Sequence, residues 1–232
     1  MFVAPDYRLM PESTGLDIME DLSDFWKWVR GGELQKHLDS FKPGVEADLS
    51  KIIAYGESAG GTLAIRSGFT QPTFVKALIG TYPAIDLGAK CDKPILGAPT
   101  IPHEALESHL KAMVPGKIVT SAFPPERMHL SLSMVQQGRL QDFFGQDESL
   151  FTTKVMEKLD DVPFMLIMHG RDDTAVPVQG SYDFEEVARK KFGSGKVELV
   201  VEPGEHGFDG TATLNTPWLK QGLEKVTKLW LR

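Results

Sequence analysis

Lys51-Ile52-Ile53-Ala54-Tyr55-Gly56-Glu57-Ser58-Ala59-Gly60-Gly61-Thr62-Leu63-Ala64-Ile65 is the stretch from which the rest of the chain is read. Residues 51–55 form a short apolar run of the kind found in a buried parallel strand. From Gly60 onward the pattern is helical. Between the two, Gly56-x-Ser58-x-Gly60 predicts a sharp strand-to-helix turn with a serine at its tip. Such a turn holds the serine in a strained conformation, so its neighbours must be small, and Gly56, Ala59, Gly60 and Gly61 are. The helix beginning after Ser58 favours negative charge developing beside it. A plain turn serine is the bland alternative. The strand before and the helix after favour a nucleophile.

Working outward, Ala77–Tyr82, Pro163–Met168 and Lys196–Val201 are further strand candidates, the last stopped by Pro203-Gly204. Met1-Phe2-Val3-Ala4 is expected to be the end of a strand, stopped by Pro5. Apolar residues at Ile18, Leu22, Phe25, Trp26 and Val29 predict a helix over 17–30, ended by Gly31-Gly32. A last helix is expected over 218–231, with Leu219, Leu223, Val226 and Trp230 on one face. Strands alternating with helices predict an α/β domain, a mostly parallel sheet with helices on both faces, spanning residues 1–232. The segment 86–161 breaks this rhythm with short helical patterns rich in Pro, Met, Phe and Leu. Lying between two core strands, it is expected to be a lid-like insertion whose Met113, Phe123, Met128, Leu132, Met134, Phe143 and Phe144 line an apolar pocket, the alternative being ordinary packing.

Composition narrows the function. Hydrophobic residues make up 41% and charged residues 25% of the 232, as in ordinary globular chains. A net charge of -7 argues against binding nucleic acid or an anionic membrane, which need a basic face. With Cys91 the only cysteine there is no intrachain disulfide, and no apolar run approaches the roughly 18 residues of a membrane span. Met1-Phe2-Val3-Ala4-Pro5 has neither the basic nor the apolar region of a signal peptide, so a cytoplasmic chain with no membrane span is expected.

A serine hydroxyl needs a base to take its proton. Of the six histidines, His206 lies in Pro203-Gly204-Glu205-His206-Gly207-Phe208, a loop after the last expected strand. His169 also ends a strand and is its competitor. It reads better as a structural histidine whose ring bonds nearby backbone. His37, His103, His109 and His129 fall in expected helices or in the insertion and read as surface or packing residues. The base needs a carboxylate to orient it, and His169-Gly170-Arg171-Asp172-Asp173 offers two adjacent candidates after a strand. The order serine, aspartate, histidine, each at a strand's end, says more than any one of them alone.

Three segments resemble the hormone-sensitive-lipase-like esterases of the α/β-hydrolase superfamily: Asp6-Tyr7-Arg8-Leu9-Met10-Pro11-Glu12, Gly56-Glu57-Ser58-Ala59-Gly60-Gly61 and His206-Gly207-Phe208. The acid segment is similar to the His-Gly-x-x-Asp-x-x-Val-Pro form widespread in that superfamily, which maps the catalytic carboxylate onto Asp173. The resemblance implies the α/β-hydrolase fold and hydrolysis of a small or medium carboxylic ester through an acyl-enzyme. It further implies Ser58, Asp173 and His206 as the triad, Ala59 as an oxyanion donor, a small-molecule ester as the partner, and no metal or organic cofactor. Members of the family also carry a His-Gly-Gly-Gly loop ahead of Asp-Tyr-Arg-Leu. Here the Gly-Gly pairs are Gly31-Gly32 and Gly60-Gly61, neither preceded by histidine. The resemblance therefore implies an N-terminally shortened member with impaired activity, and a second reading, a hydrolase-like protein that binds a small ligand with little or no catalysis. A peptidase reading rests on the acid segment alone.

Overall fold

The computed structural model describes residues 1–86, 94–122 and 126–232; Cys91 and Phe123 lie outside the described residues. In chain order the elements are α1 (Gly15–Arg30), α2 (Glu33–Phe41), β1 (Ile52–Glu57), α3 (Ala59–Thr70), β2 (Val75–Thr81), α4 (His103–Ala112), α5 (Met128–Gln136), α6 (Leu140–Phe144), α7 (Thr152–Met156), β3 (Phe164–Gly170), α8 (Gln179–Phe192), β4 (Val197–Glu202) and α9 (Pro217–Trp230). They fall into two compact units, residues 48–87 with 151–232 and residues 1–47 with 88–150.

The first of these units holds the sheet. Its strands lie in the order β1-β2-β3-β4 and every pairing is parallel. Ile79, for example, pairs with Tyr55 on one side and Leu166 on the other. β3 is buried along its whole length and β2 nearly so, and both are continuous apolar runs because each has strands on both sides and helices on both faces. On one face Ala77, Ile79, Phe164, Leu166, Met168 and Val226 form a core cluster, to which α9 adds Trp218, Leu219 and Leu223. On the other face α3 presses so close that a Cβ on Gly68 would stand 2.6 Å from the Leu78 side chain. Each strand's carboxyl end thus leads into a loop at the same edge of the sheet, where the site is built. The chain leaves this unit after β2 and returns at α7. Asp86 joins the two ends, its carboxylate accepting the backbone N–H groups of Thr152 and Thr153 at 2.6 and 3.1 Å.

The second unit is helical. α1 starts with a capping box in which Thr14 and Asp17 satisfy each other's backbone N–H groups, and it buries Ile18, Trp26 and Val29. The Asp-Tyr-Arg-Leu segment lies alongside: the Arg8 guanidinium donates to Asp17, Glu20 and Asp21. Glu12 receives Arg127 on both carboxylate oxygens and lies 3.0 Å from His109. Arg8 therefore ties this segment to α1, and Glu12 ties it to α4 and to the start of α5.

Met1–Ala4 departs from the expectation. It forms no strand, and Phe2 is 79% exposed; an apolar run becomes a strand only where a neighbour pairs with it, and among the described residues none does. The sequence reading set no bounds for α2 and passed over α8. The four strands and helices α1 and α9 agree with their expected bounds to within three residues at either end.

Candidate active site

β1 ends at Glu57 and α3 begins at Ala59, leaving Ser58 alone to make the turn, at φ 51° and ψ -120°. A non-glycine residue there costs on the order of 1–3 kcal/mol and persists only where its surroundings hold it. They do. The Ser58 N–H donates to the Thr81 carbonyl at 2.9 Å, its own carbonyl accepts the Ala84 N–H at 3.0 Å, and Thr62 Oγ1 donates to the Ala84 carbonyl at 2.8 Å. The demand for small neighbours falls unevenly. A Cβ on Gly56 would lie 2.0 Å from the Gly60 carbonyl oxygen, whereas one on Gly60 would meet nothing within 4 Å. Ala59 opens the helix, so its N–H has no carbonyl within α3 to bond and is presented at the helix's positive end.

The loops after β3 and β4 are zipped together. The Arg171 and Asp172 N–H groups donate to the Glu202 and Gly204 carbonyls at 2.7 and 3.0 Å, and the Gly204 N–H returns to Asp172 Oδ2 at 2.9 Å. Glu205 adds a clamp by accepting the Thr174 N–H and hydroxyl at 2.9 and 2.6 Å and the His206 N–H at 3.1 Å. Approach this close excludes a side chain: a Cβ on Gly170 would lie 2.4 Å from the Gly204 carbonyl oxygen. The zipper brings His206 Nδ1 to 2.7 Å from Asp173 Oδ2. Of the two adjacent aspartates, Asp173 is the buried one at the imidazole, while Asp172 is exposed and braces the loop.

Burial alone would push the Asp173 carboxyl up. The hydrogen bonds from His169 and His206, the Val176 N–H and the pull of His206 outweigh it and hold the group well below the usual carboxylate range. Its Oδ1 also accepts the Ala175 and Val176 N–H groups at 2.9 and 2.7 Å. His169 is completely buried, with Nδ1 2.8 Å from Ser181 Oγ and Nε2 2.8 Å from the Val176 carbonyl. A carbonyl can only accept, so Nε2 carries the proton and Nδ1 takes the Ser181 hydroxyl. Asp173 is farther from Nε2, at 3.4 Å, so His206 is its stronger partner. Of the remaining histidines, His37, His103 and His129 are exposed on helices and His109 meets Glu12. Among the described residues no group of three or more His, Cys, Asp or Glu is placed to hold a metal ion, and no helix is long and apolar enough to cross a membrane.

A sequence profile of the α/β-hydrolase fold, of the fold-3 kind, matches residues 1–175. The chain belongs to the α/β-hydrolase fold family. Among curated relatives this α/β-hydrolase is 30% identical over 245 residues to the probable carboxylesterase M8 of Phoma sp., covering 99% of this chain and 75% of that one. It is 29% identical over 187 residues to the probable carboxylesterase clz11 of Cochliobolus lunatus, covering 76% and 85%. Among solved structures, an α/β-hydrolase superfamily protein from Enterococcus faecalis superposes with a TM-score of 0.62 at 19% identity, over 98% of this chain and 77% of that one. Apo Thermogutta terrifontis esterase 2 gives a TM-score of 0.57 at 21% identity, over 97% and 70%. At these identities the structural likeness speaks for the fold alone.

The sequence reading missed two residues of the hydrolase's site. Glu205 sits beside the histidine but looks like any loop acid until Thr174 is found opposite it. Tyr82, directly after β2, packs its ring on His206 with centroids 4.3 Å apart. The Tyr-Pro pair at the end of an apolar strand is its one sequence sign.

Proposed function

We propose that this chain hydrolyses a small or medium-sized carboxylic ester through an acyl-enzyme. Ser58 Oγ attacks the ester carbonyl while His206 Nε2 takes its proton, and Asp173 fixes the tautomer that leaves Nε2 free and stabilises the imidazolium. The Ala59 N–H, at the positive end of α3, donates to the oxyanion. The tetrahedral intermediate collapses, the alcohol departs with the proton from His206, and water repeats the sequence on the acyl group to release the acid and restore Ser58. The carrying observations are the 2.7 Å contact between His206 and Asp173 and the strained backbone of Ser58, on loops that follow the carboxyl ends of parallel strands of one sheet. The carboxylesterase names of the two relatives support an ester as the small-molecule substrate. The excursion between β2 and β3 is proposed as the lid. Within it Met134 is buried, Met113, Leu132, Phe143 and Phe144 are half-buried and Met128 is exposed.

The test is turnover on p-nitrophenyl esters of two- to eight-carbon acids. Ser58→Ala is expected to lose about 10³-fold or more on the best of them. Undiminished turnover in that variant would move the nucleophile elsewhere. A folded wild-type chain that turns over no ester but binds one would favour the ligand-binding reading.

A further inference from the structure

Tyr82 is the first residue past β2 and has φ 39°, a left-handed backbone that an aromatic residue seldom adopts. Its N–H is anchored on the Met168 carbonyl at 2.6 Å. This turn carries the ring away from the strand and onto His206, at 4.3 Å between centroids and 52° between planes, with Phe208 edge-on at 6.2 Å and Trp218 behind Phe208 at 5.4 Å. The Tyr82 hydroxyl donates to Glu57 Oε2 at 2.9 Å. Glu57 immediately precedes the nucleophile and takes the Tyr55 hydroxyl on its other oxygen. The carboxyl of Asp209, three residues past His206, is pushed up by burial and by the neighbouring Glu57 charge. One side chain thus touches the segment that carries the nucleophile and the segment that carries the base.

Resting on the reading of Ser58 and His206 given above, we propose that Tyr82 is a positioning residue. Its ring sets the tilt of the His206 imidazole, and its hydroxyl, held by Glu57, fixes the ring relative to Ser58. Packing alone has no use for the hydroxyl or for the left-handed backbone. A strut that couples two loops needs both. In chemical terms Tyr82 makes no bond to the ester. It narrows the range of imidazole orientations, so that Nε2 faces Ser58 Oγ when the carbonyl arrives.

The experiment compares wild type with Tyr82→Phe, Glu57→Gln and Glu57→Leu on one p-nitrophenyl ester, recording kcat, KM, the melting midpoint and the low-field proton resonance of the His206–Asp173 hydrogen bond. Tyr82→Phe is expected to lower kcat about 10-fold with KM changed less than about twofold, to leave the melting midpoint within about 3 °C, and to broaden or shift the resonance. Glu57→Gln keeps an acceptor for the hydroxyl and is expected to retain more of kcat than Glu57→Leu, which keeps none. Wild-type kcat and resonance in Tyr82→Phe overturn the proposal. Should Tyr82→Phe not fold, equal kcat in the two Glu57 variants overturns it instead. Ser58→Ala run alongside separates the two levels, because activity that survives it refutes the nucleophile, whereas an inactive Ser58→Ala beside an unaffected Tyr82→Phe refutes the strut alone.

Discussion

Asp172 and Asp173 carry identical side chains one position apart, and the loop after β3 turns them to different work. Asp173 Oδ2 meets His206, and Asp172 Oδ2 holds the Gly204 N–H. Asp173→Asn is expected to cut turnover by about 10³-fold or more, because the amide no longer holds the imidazole in the working tautomer. Asp172→Asn keeps an acceptor for Gly204 and is expected to stay within about fivefold of wild type. Parallel assays decide; a dead Asp172 variant beside an active Asp173 variant contradicts the assignment. The depressed Asp173 carboxyl also has a consequence for stability. A group whose folded value lies below its unfolded value of about 3.9 contributes stability that is present above that value and lost as pH falls through the folded one. Denaturant titrations at several pH values should therefore show a shallower acid loss in Asp173→Asn between about pH 4 and pH 2; an unchanged slope would count against the depressed carboxyl. Ser58, His206 and the pair of aspartates could be picked from the sequence, since each follows an apolar run and the order is restrictive. Glu205 and Tyr82 could not, because their partners Thr174 and His206 come from other loops.

At the level of elements, β2 and β3 were legible because a parallel strand covered on both faces is largely apolar, and the edge strands β1 and β4 because Ile52-Ile53-Ala54 and Leu199-Val200-Val201 remain apolar runs. α1 was legible from its spacing and its glycines. Met1–Ala4 shows the limit of that method, because apolar character marks what a segment tolerates and pairing decides what it becomes. The glycines of the turn teach the same point. Gly56 and Gly60 are equivalent in the Gly-x-Ser-x-Gly pattern, yet the backbone crossing burdens Gly56. Gly56→Ala is expected to destabilise the fold by about 3 kcal/mol or more, a drop of roughly 6–12 °C in the melting midpoint. Gly60→Ala is expected to shift it by less than about 3 °C. Circular dichroism melts of the two variants test this, and equal shifts would show that the elbow relaxes in a way the geometry does not indicate.

Over the whole molecule, the alternation of strands and helices made the α/β architecture legible, while the division into two compact units was not. Residues 1–47 and 88–150 are joined by contacts such as Glu12 with Arg127, separated by 115 positions, and no local pattern announces a pairing that distant. Burial is concentrated in β2 and β3, so their amides are expected to exchange with solvent most slowly. Leu166→Ala, which empties a fully buried position between β3 and α9, is expected to cost about 2–5 kcal/mol. Hydrogen exchange and denaturant titration check the pair, and faster exchange in β2 than in α2 would contradict this picture of the core. Above all, one serine at the tip of one turn is proposed as the nucleophile. The most direct measurement treats the intact chain with a fluorophosphonate, weighs it, and maps the modified peptide. The account predicts one added label on Ser58, absent in Ser58→Ala and strongly slowed in His206→Ala. A label on another residue, or a folded chain that takes none, would contradict it.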